Sequence, residues 1–213
     1  MRILAIGAHL DDIEVACGAT IAKATAKGHA VRMVVLSQSD YANYRGDQLR
    51  GREQALAEGT RGAEALGVTD LVVLANPTKD IPHTSATVEQ IEAQLDDFKP
   101  SLILTHWSFD THQAHQGVSL ASISAARHHA SILMYEPTPP SGRSYVAFRP
   151  QVYVDVTGYL PHKLASLKAH VSQYEKYGPA WLEAIEGRAR YRGFEAGVTH
   201  AETYEVVRMG LEL

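Results

Sequence analysis

The chain has 213 residues, 45% hydrophobic and 21% charged, with 16 Gly and 9 Pro; this is the balance of a soluble globular protein, and enough chain to bury a core without disulfides. Twenty Lys and Arg against 24 Asp and Glu leave a net charge of −4, which excludes a broad basic face for nucleic acid and a polybasic membrane patch. The single cysteine, Cys17, cannot form an internal disulfide, no run of about 18 apolar residues exists, and no signal-peptide core is completed before His9, so the expected setting is reducing and cytoplasmic, with no membrane partner.

Short apolar runs alternate with longer helical patterns, the signature of strand-helix-strand units on a parallel sheet. Strands are predicted at Ile3–Ala8, Val31–Leu36, Leu71–Leu74, Leu102–Thr105 and Ile132–Tyr135, with a further one at Gln151–Val156. Helices are predicted at Glu14–Ala26, Arg52–Leu66, Thr87–Phe98 and Gln113–His128, closed by Leu160–Tyr177 and Pro179–Arg190. Gly28, Gly67 and Pro100 supply stop signals after the first three. Loops fall at Ser37–Leu49, Asn76–Ser85 and Glu136–Arg149, and the first and last exceed ordinary connection lengths, which marks them for function. The expected fold is therefore one α/β domain over residues 1–213: Rossmann-like and doubly wound, a mostly parallel sheet with helices on both faces and a helical closing segment.

Eleven histidines are more than a chain with two Trp and four Phe would suggest, and their placement is the informative part. The first predicted strand runs into Gly7-Ala8-His9-Leu10-Asp11-Asp12-Ile13-Glu14, putting an imidazole and two carboxylates outside the carboxyl edge of the sheet, where open α/β sheets bind ligands. Helix capping explains one of the two aspartates, but not the pair beside His9. After the fourth strand comes Thr105-His106-Trp107-Ser108-Phe109-Asp110-Thr111-His112-Gln113-Ala114-His115, with His112 and His115 on one face of a helix start. In the strand order 3-2-1-4-5 the two segments meet where the order reverses. Two imidazoles and a carboxylate with an open position suit a catalytic metal, Zn2+ or Fe2+, and a second, adjacent carboxylate can take a proton from water, which is metal-assisted hydrolysis.

The residues Ala8 to Glu14 resemble the Ala-His-Pro-Asp-Asp-Glu motif of the PIG-L/LmbE-like family of zinc-dependent N-acetylglucosaminyl deacetylases, with Leu10 in place of proline and Ile13 inserted before Glu14. Asp110 to His115 resembles the family's His-Pro-Asp-His motif, with both histidines kept and Ala114 in place of aspartate. The similarity continues through Lys163, His170-Val171-Ser172-Gln173 and the Gly193–Arg208 segment. The resemblance implies His9, Asp12 and His115 as zinc ligands, Asp11 as general base and His112 as the group that stabilises the oxyanion or protonates the leaving amine. Asp110 is the available substitute for the partner that Ala114 removes from His112. The resemblance also implies Arg50 as a substrate contact, with Arg45 and Arg52 as alternatives; Tyr41, Tyr44 and Trp107 are candidates to stack on a sugar, and His170 reads as structural.

The implied reaction removes an N-acetyl group from a small N-acetylated amino sugar or its conjugate, giving acetate and a free amine. Hydrolysis of another small amide, or a metal- or sugar-binding protein with decayed catalysis, remain the alternatives; self-association into a homo-oligomer is left open.

Overall fold

Arg2–Gly7 forms β1, and every residue from Ile3 onward in it is buried, as expected of a central parallel strand covered on both faces. The computed structural model describes residues 1–129 and 131–210. In chain order the elements after β1 are α1 (Asp12–Ala26), β2 (Ala30–Ser37), β3 (Tyr41–Ala42), β4 (Gln48–Arg50), α2 (Arg52–Ala65), β5 (Asp70–Asn76), α3 (Ser85–Phe98), β6 (Leu102–Thr105), α4 (Gln113–Ala125) and β7 (Ile132–Tyr135). They are followed by β8 (Val152–Asp155), α5 (Leu160–Ala169), α6 (Val171–Tyr177), α7 (Pro179–Ala196) and β9 (Ala201–Arg208).

Seven strands form one sheet in the order β5-β2-β1-β6-β7-β9-β8. The first five are parallel and stand in the predicted order, while β9 pairs antiparallel with both β7 and β8. The period-2 alternation of β1 sends Ile3 and Ala5 to one face, against Ile13, Cys17, Ile21 and Leu66, and Leu4 and Ile6 to the other, against Ile91, Leu95 and Val118. No helix among the described residues is long and apolar enough to cross a membrane.

The sequence reading differs from the structure in five main places. The loop expected at Ser37–Leu49 contains the β3–β4 hairpin. The helix expected at Leu160–Tyr177 breaks at His170, whose φ of −81° and ψ of 67° are not helical. The helix from Gln113 stops at Ala125, three residues short of His128, and the last helix runs past Arg190 to Ala196. Strand β9 was not predicted, because its alternation is obscured by Glu202 and Glu205, which are charged and yet buried. Glu202 has a structural reason to be there. Helix α1 kinks at Cys17, and the Glu202 carboxylate accepts from the released Ala19 and Thr20 N–H groups at 3.1 and 2.6 Å while pairing with Lys163 Nζ at 2.6 Å.

One close approach fixes the 76–85 loop against α4. A Cβ on Gly117 would stand 1.8 Å from the Ile81 carbonyl oxygen, so even an alanine must push helix and loop apart. Gly117→Ala is expected to lower the thermal midpoint by about 5 °C or more; an unchanged melting curve would mean that α4 does not pack on this loop.

Candidate metal centre and active site

Both histidine-aspartate segments lie beyond the carboxyl ends of adjacent strands, β1 and β6, and the parallel pairing of Ile3 with Leu102 through Ala5 with Leu104 brings them together. His9 Nδ1 is 3.2 Å from Asp12 Oδ2 and 3.2 Å from His115 Nε2, and His115 Nε2 is 3.3 Å from Asp12 Oδ1. The outer nitrogens of both rings are anchored. His9 Nε2 donates to the Thr78 carbonyl at 2.9 Å and His115 Nδ1 to Asp110 Oδ2 at 3.1 Å. These anchors turn His9 Nδ1 and His115 Nε2 toward the Asp12 carboxylate, and these are the two nitrogens that a bound cation would meet. Around a tetrahedral ion with bonds of about 2.0–2.1 Å, donor atoms stand about 3.3 Å apart, so the three side chains have the spacing that a metal requires. Two overlapping donor groups share His115: His9, His112 and His115, and Asp12, His106 and His115.

The charges in the cluster are strongly perturbed. Burial works against ionisation of Asp12, but His115, His9 and His106 together hold its carboxyl well below the usual range. Burial lowers the His115 pKa, yet Asp12 and Asp110 outweigh it and raise the value to about 10. Asp11 moves the other way: burial, followed by the neighbouring Asp12 charge, raises it to about 6.

Asp11 also has the most unusual backbone in the site. It is the N-cap of α1 with a φ of 142°, and its side chain makes no capping hydrogen bond. A positive φ is costly outside glycine and persists only where the surroundings enforce it. Here the preceding residue is held through both of its backbone groups: Leu10 N donates to Ser39 Oγ at 2.7 Å and Leu10 O accepts from Arg50 Nη1 at 3.1 Å. Asp12 Oδ2 in turn accepts from His9 N at 2.7 Å. The capping explanation therefore fails for the Asp11 carboxylate, which is left to face the cavity.

His112 is fixed differently from the expectation. Asp110 Oδ1 accepts from the His112 backbone N–H at 2.8 Å, but its other oxygen holds the His115 ring. The His112 ring is oriented by the Ala114 N–H, which donates to Nδ1 at 3.2 Å and leaves the proton on Nε2. Burial and the neighbouring His115 lower the His112 pKa to about 4, so the ring is a neutral donor.

Of the remaining candidates, Tyr41 lines the cavity, whereas Tyr44 is 88% exposed and Trp107 is a core residue whose Nε1 donates to Glu205 at 3.1 Å. Arg45 lies outside, bonded to Tyr44, and of the three arginines only Arg50 borders the cavity. Its guanidinium is largely committed to Glu58 at 2.9 Å, to the Leu10 carbonyl and to His170 Nδ1 at 3.2 Å. His170 is fully buried, with Nε2 2.9 Å from Glu14 Oε1, while Glu14 Oε2 has no partner among the described residues.

His106 belongs to the site and was given no role from sequence. Its Nε2 accepts from the Ala8 N–H at 3.0 Å and stands 3.2 Å from Asp12, and its ring stacks on that of His115 at 4.1 Å. Its position at the end of a predicted strand was the available signal. The cavity over the cluster, about 310 Å³, is walled farther out by Lys79, Pro139, Pro140, Gln173, Lys176, Tyr177 and Trp181.

The profile of the GlcNAc-PI de-N-acetylase family, PIG-L, matches residues 4–126. A protein of Escherichia coli K12 described as the uncharacterized deacetylase YaiS is 35% identical over 178 residues, covering 80% of this chain and 90% of its own length. The chain belongs to the PIG-L family. The diacetylchitobiose deacetylase of Thermococcus kodakarensis is 26% identical over 217 residues, covering 94% of this chain and 81% of its own. The family fold extends to a solved structure, the conserved protein TT1542 of Thermus thermophilus, at a TM-score of 0.83 with 21% identity, 99% of this chain and 96% of that one being covered.

Proposed function

We propose that the chain is a zinc-dependent hydrolase that removes the N-acetyl group from an amino sugar or amino-sugar conjugate, with His9, Asp12 and His115 as ligands. The observation that carries this reading is the triangle of the three side chains, whose nearest donor atoms stand 3.2, 3.2 and 3.3 Å apart, Asp12 using Oδ2 toward His9 and Oδ1 toward His115, beside an N-cap aspartate whose side chain makes no capping hydrogen bond. Family membership and the relative described as a diacetylchitobiose deacetylase support the amide of an amino sugar as the bond cleaved. Fe2+ suits the same donors, and elemental analysis of the purified protein separates the two.

A bound divalent cation supplies Lewis-acid polarisation of the acetamide carbonyl and acidifies water. Asp11 receives the proton of the attacking water at its carboxylate. His112 Nε2–H donates to the carbonyl oxygen as negative charge develops there, a contribution worth several kcal/mol in acyl transfer, roughly 2.7–4 for one donor. Because His112 is neutral and Asp11 has just been protonated, Asp11 is the group that returns a proton to the departing nitrogen. Water adds across the C–N bond to give acetate and the free amine. Arg50 serves this step by holding the Leu10 carbonyl, and with it the strained Asp11 backbone, at the cavity wall. A protein with decayed catalysis has no use for that strain.

Release of acetate by the metal-loaded protein from a panel of neutral and acidic N-acetylated amino sugars, N-acetylglucosamine and N,N'-diacetylchitobiose among them, tests the reading, and none from any of them would overturn it. A pH dependence follows. The base works when deprotonated, so kcat/KM is expected to rise with pH through the Asp11 pKa of about 6. A bound cation adds positive charge nearby and can only move that limb lower. An acid limb above pH 7 would assign the base to another group.

A further inference from the structure

We propose that His170, a buried ring outside the metal cluster, is a positioning residue for Asp11: by orienting Arg50 it sets the Leu10 carbonyl, and with it the peptide that carries the base. The inference rests on the deacetylase reading and adds to it a residue that acts on the reaction without touching the substrate. Arginine has donors only, so Arg50 Nη2 donates to His170 Nδ1 at 3.2 Å, and the ring proton sits on Nε2, which donates to Glu14 Oε1 at 2.9 Å. Burial lowers the pKa of the ring, and Glu14 and Asp11 raise it further, yet a second proton would have to sit on Nδ1 and face the guanidinium. The contacts close on themselves. Glu14 lies in the first turn of α1, and the path from Glu14 through His170 and Arg50 returns to Leu10, the residue before Asp11. One set of hydrogen bonds thus brackets the segment Leu10–Glu14, which holds both aspartates and the φ of 142°.

Glu58 cannot orient Arg50 alone. Its Oε2 accepts from both Nε and Nη2, at 3.2 and 2.9 Å, and a single oxygen is a pivot about which the guanidinium plane can tilt. His170 Nδ1 is the second fixed point, and with both in place Nη1 meets the Leu10 carbonyl at 3.1 Å. Two features of the backbone accommodate the ring. The helical run from Leu160 breaks at His170, and α2 has Gly62 where a Cβ would stand 2.7 Å from His170 Nε2 and 3.0 Å from Glu14 Oε1. Packing does not account for these residue types. An apolar pair would fill the same space without burying a carboxylate, and Glu14 Oε2 is buried with no partner among the described residues.

The test replaces the ring by each of its two halves. In His170→Asn the amide oxygen falls where Nδ1 stood and still accepts from Arg50, while Glu14 loses its partner. In His170→Gln the amide nitrogen falls where Nε2 stood and still donates to Glu14, while Arg50 loses its acceptor. Acetate release by zinc-loaded protein, from the N-acetylated amino sugar that the wild type uses best, is expected to be about tenfold slower in His170→Gln than in His170→Asn, the scale of loss when a catalytic group is displaced. The difference is expected in kcat rather than KM. A merely structural ring predicts the reverse order, because asparagine is the smaller residue, leaves a hole and strands the Glu14 carboxylate. NMR of the same preparations follows the Leu10 carbonyl carbon and the Asp11 amide, which are expected to shift in His170→Gln and to stay near their wild-type positions in His170→Asn. In the wild type the imidazole nitrogens of His170 are expected to carry one proton, on Nε2, and a proton on Nδ1 overturns the proposal whatever the variants do. Turnover equal in the two variants, or lower in His170→Asn, overturns it as well, as do Leu10 and Asp11 signals that move alike in both. A wild type that releases no acetate from any sugar removes the deacetylase reading, and the NMR comparison then decides by itself whether His170 sets the Asp11 peptide.

Discussion

Asp11→Asn is expected to keep its metal while turnover falls by about 10²–10⁴-fold, the usual contribution of a general base. Asparagine matches aspartate in shape and is among the few residues that accept a positive φ, so the backbone value of 142° at this position does not by itself unfold the variant. An amide cannot take the proton of water. The donor triangle, in which Asp11 has no part, stays intact. Metal content by elemental analysis and acetate release measured on the same preparation check the two halves of the statement. Loss of metal would make Asp11 a ligand and exchange the roles of the two aspartates, whereas activity retained with metal would remove the general-base step.

His115→Ala is expected to abolish both tight metal binding and turnover, because it removes one of the three proposed protein ligands and does further damage around them. Asp110, with 2% of its side chain exposed, loses the Nδ1–H partner at 3.1 Å, and Asp12 loses the largest favourable influence on its ionised form. The readouts are metal stoichiometry after dialysis and the rise in thermal midpoint on adding metal. Wild-type protein gains stability with metal concentration above the dissociation constant, and the variant is expected to show no such rise at the same concentrations. Full occupancy in the variant would exclude His115 from the ligand set.

The centre of the fold and its two functional segments were legible because they obey local rules. An unbroken apolar strand followed at once by His9, Asp11 and Asp12 places these groups at the sheet edge whatever the rest of the chain does, and the strand order 3-2-1-4-5 is the one seen. What stayed hidden depends on distant partners. The charges of β9 make sense only beside the kink of α1 and the Lys163 ammonium. The break at His170 reflects the buried contacts of that ring with Glu14 and Arg50, on segments more than 100 positions away. His106 looked like one more polar residue after a strand until its ring was found stacked on His115. The identity of the orienting groups, Thr78 O for His9 and Ala114 N for His112, could not be read from side-chain chemistry because both are backbone atoms.

The separation of 106 positions from His9 to His115 bears on the order of events when the protein is made. A chain emerging from synthesis presents one imidazole and two carboxylates early and must complete β2, β5 and β6 before the second imidazole exists. Until β1 and β6 lie side by side, the partial set is a weak and unselective chelator, and closing so long a loop around an ion is entropically unfavourable. A cation held by this set is therefore expected to load after the sheet has formed, unlike the ion of a small metal-nucleated domain. The hydrophobic layers on both faces of the sheet assemble without it, so metal-free protein is expected to be folded, inactive and ready to be loaded.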